Sequence, residues 1–233
     1  MAKFLSKNGK FYMRNGKLLQ YLPTLAAENT WYKSSQDKAT ITKIALKDSY
    51  TPETTVDESW DASAMNDGSI MAYRTGTEII LAGNGSGNIS ANKSSKNAFR
   101  EFTALKSIIG LDILNTSHMV VASSMFANCS SLTTLDLSTW DMSNCTTIGS
   151  MFYGCSNLVS AGDLSNWNTS NITRMPGVFY QCSKLTTTGN LNNWDTSKVS
   201  SFRVMFGGCK SLINVGDLSN WDTSNVTDMA GMF

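Results

Sequence analysis

Three carboxylates recur at one position of a repeated sequence and are the residues best placed to do chemistry. Asp136, Asp163 and Asp217 follow one another at repeat spacing, with Asn190 in the same column. If successive repeats lie side by side, neighbouring carboxylates would be roughly 5 Å apart, the separation of a retaining glycosidase pair, and their like charges would raise each other's pKa. A column that includes Asn190 is more typical of turn residues, which hydrogen-bond the backbone two residues on. We therefore predict turns and not a catalytic pair.

The other residue types that catalysis would use are isolated. The only histidine is His118, and with no Gly-x-Ser-x-Gly motif a Ser-His-Asp arrangement has no support. The segment "AGNGSG" at 82–87 lacks the Gly-Lys-Ser/Thr of a phosphate-binding loop and predicts a hairpin turn. The sequence predicts no catalytic, metal-binding or cofactor-binding residue, no cofactor, and a protein that is not an enzyme. His118 shares its column with polar residues and is interpreted as a solvated substitution: Asn144, Asn171, Lys198 and Asn225.

The cysteines follow the same repeat. Four of the five occur once per repeat, and Cys145 alone is out of register. No Cys-x-x-Cys pair is present, so neither a zinc site nor a disulfide framework is indicated. We expect buried free thiols that pack as small apolar side chains. The recurring ones are Cys129, Cys155, Cys182 and Cys209.

The strictest recurrences are apolar. A Met-Phe or Val-Phe pair recurs at steps of about 27 residues, and the tryptophans recur at the same step. Phe99 and Phe102 stand one such step before Phe126 and Cys129 and indicate a worn first copy. A period in the twenties with several locked apolar positions is typical of a solenoid. The pairs are Met125-Phe126, Met151-Phe152, Val178-Phe179, Met205-Phe206 and Met232-Phe233, and the tryptophans are Trp140, Trp167, Trp194 and Trp221.

Two periodicities alternate within one repeat. In residues 196–212 apolar side chains follow the three-and-four spacing of a helix face, and Ser197 precedes them as an N-cap. The segment "SLINVGDLSNW" that follows is short, contains branched residues and ends in turn residues, which predicts a strand. The predicted fold class is thus an α/β solenoid of leucine-rich-repeat-like coils of about 27 residues, each with one strand and one short helix, behind a β-rich N-terminal cap.

The front of the chain predicts β-structure. Asn8-Gly9 and Asn15-Gly16 are tight-turn signals for β-hairpins, and "ATITKIALKDSYT" is compatible with a strand. Residues 67–92 favour strand, Thr-Gly turn, strand, Gly-rich turn and strand. We predict an anchoring or capping hairpin region at 1–56, a β-rich cap at 57–98 that covers the first coil, and the solenoid at 99–233 with its last repeat incomplete.

A resemblance to a known family is carried by recurring phrases. The segments "WDASAMNDGSIMAYRTGTEIILAGNGSGNISANKSS" and "LDILNTSHMVVASSMFANCSSLTTLDLSTWDMSNCTTIGSMFYGCSNL" resemble BspA-like leucine-rich-repeat proteins, bacterial and mycoplasma surface proteins. The likeness covers roughly residues 57–233. It implies a leucine-rich-repeat-like solenoid displayed outside a cell for adhesion or partner binding, with no catalytic residue to transfer. Relatives of this repeat also occur in phage virion proteins.

Charge and hydropathy exclude other classes of function. Residues 111–233 carry five Lys/Arg against eight Asp, which is unsuited to a phosphate backbone, so no nucleic-acid partner is expected. No apolar run approaches the eighteen or so residues of a membrane span. The N-terminus has no apolar block typical of a signal peptide. We therefore expect location either in a phage virion or on an extracellular surface that the chain reaches by a non-classical route.

These observations favour a non-catalytic binding or adhesion module that recognises a protein or glycan through the face of the stacked repeats. Expected partners are molecules on a host or neighbouring cell surface, with other virion subunits as a further option. The alternative is a phage tail or virion structural component without its own recognition role. Because the last repeat stops at Phe233, we also expect either further chain or another subunit over that end. The candidate exposed binding positions are Tyr153, Tyr180, Lys184, Lys198 and Lys210.

Overall fold

The computed structural model describes residues 12–14, 17–19, 24–26, 31–32, 37–64, 66 and 68–233. These residues contain short strands and two 3-10 helices, Lys38–Thr40 and Leu111–Ile113. The strands, numbered in chain order, are β1 Tyr12–Arg14, β2 Lys17–Leu19, β3 Lys43–Lys47, β4 Glu58–Asp61, β5 Met71–Thr75, β6 Glu78–Ala82, β7 Ile89–Ser90, β8 Ser107–Ile109 and β9 Leu114–Asn115. No helix in the described ranges is long and apolar enough to cross a membrane.

The predicted strands before residue 92 are present where they can be described. β1 and β2 pair antiparallel with Arg14 opposite Lys17, so they flank Asn15-Gly16 as the turn signal predicted. Asn8-Gly9 lies outside the described residues. β3 falls in "ATITKIALKDSYT", and β5, β6 and β7 fall in residues 67–92 as predicted.

A mixed sheet of five strands, in the order β4-β5-β6-β3-β8, is the largest sheet in the described residues. β4, β5 and β6 pair antiparallel, whereas β3 pairs in parallel with both β6 and β8. A two-residue turn joins β5 to β6, and its Gly76 has a φ of +57°, which glycine adopts without steric cost. β3 lies in the predicted hairpin region at 1–56, and β8 lies in the predicted solenoid segment at 99–233. The boundaries of the three predicted segments stay a prediction.

The prediction of an α/β solenoid is wrong. The described residues contain no α-helix, and the five-stranded sheet is mixed and lies before residue 110. The predicted strand at 211–221 is reduced to one isolated parallel bridge, between Thr187 and Asn214. The repeats therefore lack the strand and the helix expected of leucine-rich-repeat-like coils.

Backbone conformation explains why residues 199–209 form no helix. Val204 has a φ of +49° and Gly208 a φ of +75°, which interrupt the right-handed conformation that a helix needs at every residue. Val204 N–H instead donates to the Ala230 carbonyl at 2.9 Å, and Phe206 N–H donates to the Met232 carbonyl at 2.7 Å. The apolar side chains predicted to form a helix face are buried, but they pack against the neighbouring repeats from successive turns and not from a helix.

Residues 94–233 form a repeat stack, in which each segment of about 27 residues lies beside the next. Isolated parallel bridges join Ser94 to Val121, Val121 to Thr147 and Thr147 to Arg174. The recurring phenylalanines stack with ring centroids 5.2 to 5.9 Å apart and planes within 19° of parallel. Each recurring tryptophan donates its indole N–H to a leucine carbonyl of the preceding repeat, for example Trp194 to Leu164 at 3.0 Å. The stack is thus held by ring stacking and by hydrogen bonds between repeats.

The cysteines are free, and four of the five are buried, as the sequence predicted. Each recurring thiol donates to a phenylalanine carbonyl of the preceding repeat, for example Cys155 to Phe126 at 3.0 Å. Burial raises the pKa of the Cys129 thiol to about 12. The thiols therefore stay protonated at neutral pH and can act as donors.

The two ends of the repeat stack differ. Buried Trp31 stacks on Phe102 at 5.8 Å and donates its indole N–H to the Ala98 carbonyl at 2.7 Å, so it covers the first copy of the repeat. At the other end, Ile213 and Phe233 are 89% and 72% exposed. Only the end beside Trp31 is covered by described residues of the chain itself.

Val204→Gly is expected to raise the free energy of unfolding by about 1 kcal/mol, because a β-branched residue at positive φ is strained. Gly177, the equivalent residue one repeat earlier, has a φ of +60°, and a Cβ there would make only ordinary van der Waals contacts, at 3.5 Å or more. Gly177→Val should therefore lower the free energy of unfolding by a similar amount. Urea denaturation of both variants checks the pair, and equal destabilisation by both would contradict this backbone assignment.

Candidate functional site

Two of the five predicted binding residues, Tyr153 and Tyr180, are in direct contact. Their rings stack with centroids 5.6 Å apart, and both side chains are half-buried. Gly207 occupies the same column in the next repeat, and a Cβ there would lie 3.1 Å from Cδ2 of Tyr180. The Tyr180 ring therefore lies between the ring of Tyr153 and the backbone of Gly207.

The three predicted lysines do not join the tyrosine pair. Lys198 donates from Nζ to Asn171 Oδ1 at 3.1 Å. The asparagines of its column donate instead to serine carbonyls of the preceding repeat, for example Asn171 to Ser143 at 2.8 Å. Lys184 and Lys210 are exposed, and their ammonium groups contact no hydrogen-bond or ion-pair partner in the described part of the chain. Exposed His118 lies 3.0 Å from the hydroxyl of Ser117 through Nδ1.

A groove that the sequence did not predict runs across three repeats. It has a volume of about 450 Å³ and is open to solvent. Six of its nine lining residues are Ser or Thr, and none is an acid, a histidine or a cysteine. The lining residues are Ser123, Ser124, Thr146, Thr147, Gly149, Ser150, Thr173, Arg174 and Pro176.

The hydroxyl groups of the groove differ in what they can offer a ligand. Thr146 donates to the Val120 carbonyl at 3.2 Å and Thr173 to the Thr146 carbonyl at 3.3 Å, so both keep acceptor lone pairs. The hydroxyls of Ser124 and Ser150 have no hydrogen-bond partner among the described residues. The groove thus offers both donors and acceptors.

The groove and the tyrosine pair lie on the same side of the stack. A Cβ placed on Gly177 would be 3.5 Å from Ser150 Oγ in the groove and 3.5 Å from Cβ of Tyr180. Gly177 therefore lies between the two features with no side chain of its own. We call the groove lining together with Tyr153 and Tyr180 the groove face.

The basic residues of 111–233 cluster in one part of the sequence, and one of them lines the groove. All five basic residues of 111–233 fall between positions 174 and 210. Arg174 lines the groove, is exposed and forms no ion pair with any described residue. Arg203, in the next repeat, lies 3.7 Å from Asp228 through Nη1, and its carbonyl accepts from Gly177 N–H. Arg174 is thus the one charge in the groove lining.

The carboxylate column forms turns, as predicted. Asp136 accepts from the hydroxyl of Ser138 at 2.7 Å and from its N–H at 3.1 Å. Asn190 makes the equivalent bond to Asn192 N–H, which explains why asparagine serves in this column. The expectation that aligned charges raise the carboxyl pKa is wrong, because the hydrogen bonds from Ser138 lower the pKa of Asp136. The pKa values of Asp163 and Asp217 are lowered in the same way by Ser165 and Ser219.

These turns predict a dependence of stability on acid. A carboxyl whose pKa is lower in the folded state stabilises the fold above its ordinary pKa of about 4, and this contribution disappears as pH falls through the lowered value. We therefore expect the melting temperature to fall as pH drops below about 4. Asp136→Asn with Asp163→Asn should keep the turns and weaken the dependence. A melting curve that is unchanged down to pH 2 would contradict the role of these hydrogen bonds.

No group of three or more His, Cys, Asp or Glu side chains that could hold a metal ion is found in residues 37–64, 66, 68–233 and the shorter described segments. Of the sites that the sequence analysis considered, the structure therefore assembles the tyrosine pair and adds the groove. The missed signal was the run of Ser and Thr at equivalent positions, interrupted by Arg174.

Comparison with known proteins gives one family. A family model described as "Mycoplasma protein of unknown function, DUF285" matches residues 85–162 and again residues 156–233. No curated protein and no solved structure matches the chain. The two matches together span the repeat stack and most of the chain.

Proposed function

Since the chain belongs to the family described as "Mycoplasma protein of unknown function, DUF285", whose two matches cover residues 85–233, we propose that it is a non-catalytic binding module. It is displayed on a cell or virion surface and recognises a protein or glycan of a host or neighbouring cell. The groove face is the recognition surface. The proposal is carried by the contrast between the constant interior of the stack and the changing chemistry of this face.

That contrast is visible column by column. The phenylalanine recurs in every repeat and is buried in all but the last, whereas the residue that follows it changes from Ala127 to Tyr153, Tyr180 and Gly207. The bridge column changes likewise, from Thr147 to Arg174, Ser201 and Asp228. The interior maintains the stack, so the face can vary without loss of the fold. A surface of varied side chains on a constant scaffold is what selective binding needs.

The chemistry of the described side chains supports a role without catalysis. The groove lining contains no group that titrates near neutral pH. The carboxylates of the turn column accept hydrogen bonds that lower their pKa, so they stay ionised and cannot serve as general acids. Surface display is supported by the resemblance of the recurring Trp-Asp-Thr-Ser phrases to BspA-like surface repeat proteins.

The test is binding of the fluorescently labelled chain to host and neighbouring cells, measured by flow cytometry. The double variant Tyr153→Ala, Tyr180→Ala should lose binding about tenfold or more. Asp163→Asn, which keeps its turn, is the control and should bind as the parent chain does. Melting curves must first show that each variant is folded.

Two results would overturn the proposal. Full binding by the double tyrosine variant would remove the groove face as the recognition surface. Absence of binding to every cell type would instead favour the structural alternative, a phage tail or virion component without its own recognition role.

A further inference from the structure

The groove lacks what a protein ligand needs for tight binding. Protein interfaces take most of their energy from large side chains that fill desolvated apolar pockets. The lining has six Ser and Thr side chains, and Pro176 is its only sizeable apolar residue. No apolar pocket for an anchor side chain is present in this groove. Its chemistry therefore favours a ligand that is itself rich in polar groups.

The hydroxyl groups fit a carbohydrate. Every sugar hydroxyl is both a donor and an acceptor. Ser124 and Ser150 can donate or accept, whereas Thr146 and Thr173 can only accept because their protons are already donated to carbonyls. Ser124 and Ser150 are equivalent residues of neighbouring repeats, as are Thr146 and Thr173. The same pair of groups is thus offered again one repeat further on, which suits a chain of similar units.

The charge beside these hydroxyls is positive. Arg174 is unpaired in the groove lining, and no carboxylate lines the groove. Lys198 reaches Asn171, which is two residues before Thr173 of the lining. The Arg174 guanidinium can hold a carboxylate or a sulfate through two hydrogen bonds, and the Lys198 ammonium, which lies outside the lining, is a second cation for the same ligand chain.

Resting on the proposed function, we propose that the ligand of the groove face is an acidic carbohydrate chain. Its hydroxyls bind the serine and threonine side chains of the groove. Its carboxylate or sulfate groups bind Arg174 and Lys198. The rings of Tyr153 and Tyr180 lie on the same side of the stack and extend this surface.

The test is titration calorimetry with defined polysaccharides at low and high salt. The probes are hyaluronan as the carboxylate source, heparin as the sulfate source, dextran as a neutral chain and polyglutamate as an acidic peptide. The test variants replace each cation by the residue of its own column, Arg174→Thr and Lys198→Asn, so the stack is preserved. Lys106→Gln removes one exposed charge that lies outside the groove face and is the control.

We expect hyaluronan or heparin to bind, with an affinity that falls as salt rises and falls about tenfold in each test variant. The comparison of hyaluronan with heparin identifies the acidic group. Lys106→Gln should bind as the parent chain does. Equal binding of dextran, tighter binding of polyglutamate, or full binding by both test variants would overturn the acidic carbohydrate.

The cell-binding experiment separates this inference from the proposed function. Cell binding that is lost after protease treatment of the cells but survives removal of their acidic glycans would overturn the carbohydrate ligand and leave a protein-binding module. Absence of binding to all cells would overturn both.

Discussion

Phe152→Ala is expected to lower the free energy of unfolding by about 3–5 kcal/mol, the usual cost of a cavity at a buried phenylalanine. Phe152 is fully buried and its ring lies between those of Phe126 and Phe179, at 5.7 and 5.2 Å. Removal of this ring leaves two stacked neighbours without a partner on one side. For a chain of this size the melting temperature should fall by about 10 °C.

Phe233→Ala is the matched control, because it removes the same side chain from the same column. Phe233 stacks on Phe206 at 5.6 Å but is 72% exposed, so its loss leaves no enclosed cavity and should cost less than about 1 kcal/mol. Thermal and chemical denaturation measure both variants. Similar losses for the two would show that the stack is not held by its central rings.

Gly110→Ala is expected to be strongly destabilising, by about 3 kcal/mol or more. Gly110 has a φ of +77°, and a Cβ there would lie 2.2 Å from the carbonyl oxygen of Leu46 in β3. A backbone oxygen in the sheet cannot move aside as a flexible side chain can. The variant must therefore separate β3 from the turn that precedes Leu111–Ile113.

Gly110→Ala combines two costs, the strain of a positive φ and the contact with the Leu46 carbonyl oxygen, and Gly76→Ala measures the first of them alone. Gly76 also has a positive φ, +57°, but nothing lies within 4 Å of its Cβ position. Its replacement should cost only the conformational strain, about 1 kcal/mol. Urea denaturation compares the two, and a cost at Gly110 no larger than that at Gly76 would contradict the close approach to Leu46.

The interior of the repeat stack could be predicted from the sequence, but its backbone could not. Val199, Phe202 and Met205 are buried as their spacing indicated. The same three-and-four spacing fits successive turns whose hydrogen bonds run to the next repeat. What distinguishes these turns from a helix is a positive φ at Ser124, Ser150 and Val204. Serine and valine rarely adopt a positive φ, so their presence does not predict it.

At the front of the chain, pairing between neighbouring segments could be predicted from the sequence, whereas pairing between distant segments could not. The pairing of β1 with β2 and the turn at Gly76 follow from adjacent residues. The parallel pairing of Lys43 with Glu78 and with Ser107 joins residues far apart in the chain. Such pairing depends on packing of the whole domain, so no local pattern predicted the strand order.

One part of the candidate site could be predicted from the sequence and the other could not. The contact of Tyr153 with Tyr180 follows from the repeat, which places equivalent residues side by side. The groove needs Ser123, Thr147 and Arg174 from three repeats, and each of these residues is common in turns and exposed loops. Its shape arises only when the backbones are stacked.

The hydrogen bonds that join each repeat to the next have a mechanical consequence. A force that pulls the last repeat away from its neighbour acts on one set of these bonds at a time, since each repeat contacts only adjacent ones in the column of stacked phenylalanines. Extension would then proceed in steps, each releasing roughly 27 residues, or about 90 Å of fully extended chain. Stepwise extension of this kind dissipates load by lengthening. The groove, whose lining ends at Pro176, keeps its form during the first step.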